Sequence, residues 1–181
     1  MARIPQFTTE KDLSADQQDA FDEISTSRGQ ISGPFSVLLN SPELARRAAH
    51  LGAYIRFESV LSDQTRELAI ITVAREMNCS YEWKAHTAIA KEVGISAGTI
   101  NNVAVGADLS SFTESEALVV AYGRQILNCK RVTPDTFRSA LTRYGNKGVT
   151  ELTTTIGYYA MLACILNAFE VVPETGSMQS S

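Results

Sequence analysis

Helix starts recur along this sequence so regularly that a helical bundle is the architecture it most readily specifies. Ser14, with Gln17 three residues on, reads as a capping box opening a helix to about Ser27, and Arg28-Gly29-Gln30 breaks it. Ser41-Pro42 sets an N-cap before a proline at the first helical position, and Leu44, Ala48, Leu51 and Ile55 follow at helical period. Ser62 caps a helix through Ala74, and another runs from near Cys79 to Gly94, a glycine suited to ending it. Ser96 caps a short helix to Val103, Thr113 and Glu116 form a second capping box for a helix to about Asn128, and Thr133-Pro134 opens one that stops at Gly145. The last helix, roughly Gly148 to Phe169, is apolar around most of its circumference, which marks it for the core or an interface. No segment sustains the two-residue alternation of a strand. The expectation is an all-α single domain over residues 1–181, with loose ends at about 1–10 and 173–181.

At 181 residues the chain is long enough for one sizeable core, and 44% hydrophobic content is that of a globular protein. The opening residues hold no apolar leader, and no apolar run approaches a membrane span of ~20 residues. Sixteen basic residues are scattered against 20 acidic ones, so neither nucleic acid nor an anionic membrane is an expected partner. Three widely spaced cysteines argue against a disulfide framework or zinc site and fit a reducing cytoplasm, and only two histidines argue against a multi-histidine metal centre.

The chemistry concentrates between Arg66 and Gly94. Glu82 and His86 are four residues apart, so on a helix they share a face about one turn apart. Cys79 joins that face near the helix start, and Glu67, on the preceding helix, sits where it can fold back against the group. Arg66 and Arg75 have the fork geometry to hold a substrate carboxylate, although salt-bridged or solvated arginines are the commoner reading. Cys79 near a helix N-terminus can be reactive, yet a lone cysteine is more often a small buried residue.

The segments RELAIITVARE, YEWKAH, the GIS turn and IGYYAMLACILNAFEV together resemble the carboxymuconolactone decarboxylase family of the alkylhydroperoxidase D-like superfamily. The similarity runs from about Gly33 to Val172. It implies a compact multi-helix fold, assembly as a homo-oligomer (trimer or hexamer), and a site at the E-x-x-x-H helix. The peroxidase branch places a glutamate before a C-x-x-C pair and then a histidine; here Glu67, Cys79 and His86 match, while Glu82 occupies the second cysteine position. Without that pair the intramolecular disulfide of a peroxidase cycle cannot form. The resemblance therefore points to a decarboxylase-type lyase acting on a small carboxylated lactone or a related enolisable acid, with no cofactor. Glu82, His86, Glu67 and Cys79 are the candidate catalytic residues. A peroxidase using Cys79 with an external thiol, and a non-catalytic oligomeric binding protein, are the alternatives.

Overall fold

The structure, a computed structural model, describes residues 2–173. Its helices run in the order α1 (Ala15–Arg28), α2 (Pro34–Leu38), α3 (Pro42–Phe57), α4 (Asp63–Glu76), α5 (Ser80–Glu92), α6 (Ala97–Ala104), α7 (Glu114–Arg124) and α8 (Pro134–Ala168). There is no β-strand among the described residues. The side chains of Ser14, Ser62, Ser96, Thr113 and Thr133 each accept a backbone N–H at their helix starts, with full capping boxes at Ser14 and Thr113. Ser41 holds the N-cap position of α3, but its side chain makes no capping bond.

α4 lies at the centre, packed against α5, α7 and α8, while α1 and α2 pack on α3. The run from Arg66 to Ala74 is buried throughout, and after Glu67 it is apolar on every side except at Thr72, whose hydroxyl donates to the Leu68 carbonyl at 2.7 Å: such a helix has no face to give to water. Ile70 and Ile71 of α4 meet Leu152 and Ile156 of α8 in one core cluster, all fully enclosed. Truncating Ile70 to alanine removes buried methyl groups from the helix that carries Glu67, and is expected to lower unfolding free energy by about 2–5 kcal/mol. Urea denaturation checks this value.

α8 is two helical arms meeting at Gly145, whose φ of 65° and ψ of 179° interrupt the helix where the sequence sets a stop. By length and composition the helix is apolar enough to cross a membrane, but 56% of its most apolar window is buried inside the fold, as in a core helix. α7 leaves α-helical hydrogen bonding at Arg124 and closes through a π-turn, Gln125–Cys129, instead of continuing as an α-helix to Asn128.

Two segments depart from expectation. The stretch between Ile31 and Asn40, where no helix start is expected between the break at Gly29 and the N-cap at Ser41, contains α2 with Pro34 at its first position. The opening residues, expected to be loose, are tied down: the Arg3 N–H donates to the Phe169 carbonyl at 2.9 Å, the Phe7 N–H to the Ser36 carbonyl at 2.9 Å, and Arg3 pairs with Glu170. Of the expected loose tail, residues 174–181 lie outside the described residues.

Candidate functional site

The turn between α4 and α5 decides which residues can meet. Asn78 takes a left-handed conformation with φ 49°, which asparagine tolerates better than most residues. The Asn78 N–H bonds the Arg75 carbonyl at 3.1 Å and the Cys79 N–H bonds the Ala74 carbonyl at 2.8 Å, the paired closure of a Schellman turn. α5 therefore starts at once and folds back along α4. That reversal lays Glu67, in the first half of α4, beside His86 on α5.

His86 is held at both ring nitrogens. Its Nδ1 lies 2.7 Å from Glu67 Oε2, and its Nε2 lies 3.2 Å from Glu82 Oε2 on the preceding turn. Glu67 and Glu82 are only 3% and 4% exposed, and a carboxylate so enclosed must find a donor or cation. The edge-on Tyr159 ring, 5.0 Å away at 84°, fixes the imidazole plane, and Tyr158 stands edge-on to Tyr159 at 5.3 Å. Burial disfavours charge on His86, but the bonds to Glu67 and Glu82 and their negative charge outweigh it, pushing its pKa up to about 9. With both nitrogens facing carboxylates, the imidazolium is the form these contacts select.

The site opens on a cavity of about 290 Å³ lined by Glu82 and His86, with Tyr81, Tyr158 and Tyr159, and with Arg28 and Arg56 also in its wall. Glu67 does not line it and touches the cavity only through His86. Burial pushes the Tyr159 hydroxyl pKa far up, with Glu82 and Glu67 adding to the effect, so this phenol stays neutral.

Cys79 is the N-cap residue of α5, yet it is 1% exposed and packs in a small apolar cluster with Val37, Ala163, Leu166 and Val171, away from the cavity lining. Burial pushes its thiol pKa up; the backbone N–H groups of Glu82 and Tyr81 oppose this, while the Glu82 charge reinforces it. Thus Glu67, Glu82 and His86 form one constellation, and Cys79 sits behind it in the core. Arg66 ion-pairs with Asp63 at 2.8 Å and approaches Glu67 at 3.8 Å, and Arg75 donates to the Ala104 carbonyl at 2.7 Å; neither lines the cavity.

The residues that sequence reasoning missed are Arg28, Arg56, Tyr158 and Tyr159. Adjacent tyrosines in an otherwise apolar final helix were the available signal for two of them, because a buried phenol needs a polar partner. Tyr158 finds one in the Ala48 carbonyl, to which its hydroxyl donates at 2.9 Å.

The sequence profile of the Carboxymuconolactone decarboxylase family matches residues 42–125, a segment that holds Glu67, Glu82 and His86 but not α1 or α8. No curated protein matches the chain in sequence. Among solved structures, an uncharacterized peroxidase-related protein from Ralstonia eutropha, with the alkylhydroperoxidase AhpD core, is similar with a TM-score of 0.75 at 18% identity, covering 96% of this chain and 92% of that one. An uncharacterized peroxidase-related protein from Silicibacter is similar with a TM-score of 0.73 at 14% identity, covering 96% and 94%. A protein of unknown function from Agrobacterium tumefaciens gives 0.71 at 16% identity, covering 80% and 100%. The Carboxymuconolactone decarboxylase family profile thus lies on the central helices, at residues 42–125, and the fold across the chain's length is similar to that of these AhpD-like structures.

Proposed function

We propose that the protein is a lyase acting on a small carboxylated lactone or a related enolisable acid, with His86 as its general acid. The observation that carries this reading is an imidazolium clamped between two buried carboxylates, with its Glu82 side on a cavity. Decarboxylation beside a conjugated carbonyl breaks a carbon–carbon bond and sends its electron pair into the carbonyl as an enolate. The enolate carbon then takes the proton held between His86 Nε2 and Glu82, and water restores it. Each turnover releases one carbon dioxide and consumes one proton. The substrate's own carbonyl is the electron sink, so this step asks for no organic cofactor. Proton delivery by a placed group is worth about 10²–10⁴-fold. Glu67 is a positioning residue: its short bond to Nδ1 fixes the ring and holds the charge, leaving the longer Nε2 contact at the cavity wall as the labile one.

A thiol peroxidase needs an accessible thiolate and a partner thiol to recycle it. Cys79 fits this poorly: its thiol is buried with a raised pKa, and Glu82 takes the place of the second cysteine of the C-x-x-C pair. The test is a screen of unsaturated lactone carboxylates for carbon dioxide release, run beside hydroperoxides with a thiol donor. Cys79→Ser is expected to keep carbon dioxide release within about threefold of wild type, well short of the general-acid effect. Rapid hydroperoxide reduction by wild type, abolished in Cys79→Ser, would overturn the lyase reading.

A further inference from the structure

We propose that Arg28 and Arg56 form an anion subsite that takes a carboxylate of the ligand bound at His86. This deepens the lyase reading and rests on it for the ligand's class, while its geometry is separate from the proton-transfer group. The two guanidiniums come from different helices, Arg28 from the end of α1 and Arg56 from the last turn of α3, and both line the cavity that Glu82 and His86 line.

Neither arginine has an ion pair with a carboxylate among the described residues, whereas Arg46, Arg66 and Arg124 each have one. Arg28 is nevertheless fixed in place. Its guanidinium carbon lies 3.8 Å over the Phe35 ring, and it hydrogen-bonds the Tyr158 hydroxyl, whose own proton goes to the Ala48 carbonyl. Gly52 makes the room: a Cβ there would fall 2.3 Å from Tyr158 Oη and 2.6 Å from Arg28 Nη2. One contact to Tyr158 leaves most of the five guanidinium N–H donors of Arg28 for a ligand.

Two partly buried like charges without a counter-ion repel each other, and an anion between them relieves both the repulsion and the lost hydration. Burial, with the nearby Arg56 charge, lowers the Arg28 pKa, in keeping with a cation that lacks its partner. A carboxylate suits a guanidinium fork through paired hydrogen bonds. Glu82, on the same cavity, repels that carboxylate and so sets the ligand's direction: acid group to the arginines, reacting carbon to His86 and Glu82. A cavity of about 290 Å³ admits a small ring acid and little more.

The test is calorimetric binding of 5-oxotetrahydrofuran-2-carboxylate, a saturated lactone acid with no conjugated route to decarboxylation, and of its primary amide. The acid is expected to bind wild type at least ~10-fold more tightly than the amide, and Arg28→Gln and Arg56→Gln should each weaken the acid ~10-fold or more while moving the amide less than about threefold. Equal affinity for acid and amide, acid affinity unchanged in both variants, or no acid binding at about 1 mM would overturn the subsite. Arg56 packs only over the exposed Phe57 ring, 4.9 Å from its centroid, whereas Arg28 covers the buried Phe35, so Arg56→Gln decides the matter if Arg28→Gln fails to fold, as judged by circular dichroism. Because the probe is inert, the two readings fail separately. Arginine-dependent acid binding with no turnover of unsaturated analogues supports the subsite and counts against the lyase, while His86-dependent turnover with arginine-independent binding does the reverse.

Discussion

His86→Ala and Glu82→Gln will each reduce carbon dioxide release from the best lactone acid by ~10²-fold or more, the scale of a lost general acid. The double variant should be little worse than the worse single one, because the proton to be delivered lies between the two groups and removing either empties the same position. Steady-state kinetics on the four proteins closes the cycle. Losses that multiply would show two independent groups, and unchanged turnover in both single variants would remove the proposed site. Glu67→Gln belongs to a different class. It leaves His86 and Glu82 at the cavity wall and alters only the charge behind the ring, so its main effect should fall on the pH profile.

That profile is the second large effect. A general acid works only while protonated, so with the His86 pKa raised to about 9 the rate should stay level through neutral pH and fall about tenfold per unit above that value. In Glu67→Gln the strongest opposing charge is gone while the burial remains, and the falling limb should move down by about 1–3 units, the usual reach of one close carboxylate. The same shift carries a stability dependence. A histidine whose folded pKa is raised above its ordinary 6.5 stabilises the fold fully below pH 6.5, and that contribution is lost as pH rises through about 9. About 3 kcal/mol is the scale for such a shift at 1.36 kcal/mol per unit. Chemical denaturation between pH 6 and pH 10 should show wild type losing stability on this side and His86→Ala lacking that loss.

How much of this was legible beforehand follows from the range of the interactions. The E-x-x-x-H pair is set by the period of one helix, so its shared face is readable from spacing alone, and the capped starts at Ser14, Ser62, Ser96, Thr113 and Thr133 are equally local. Glu67 was readable only as a residue able to fold back; the left-handed Asn78 turn is what makes α4 and α5 a hairpin and brings it to 2.7 Å from His86. Arg28, Arg56 and Tyr158 converge through packing of α1, α3 and α8, contacts with no local periodicity to announce them. Arg66 and Arg75 looked as suitable for an anion, but Asp63, Glu67 and the Ala104 carbonyl had already taken them. Five residues of α2 are too few to show a helical period, and Ser41 shows that a good capping residue in the right place need not cap.

The central claim is that His86 is an imidazolium at neutral pH, held ready to give up a proton at the cavity wall. Its ring resonances report this directly in a pH titration by nitrogen-15 and proton NMR. The chain has only two histidines, so a His50→Gln sample assigns His86 without ambiguity. A doubly protonated His86 ring at pH 7.5 that titrates near 9 is the expected result. A neutral ring at pH 7.5, titrating at or below the ordinary 6.5, would contradict it.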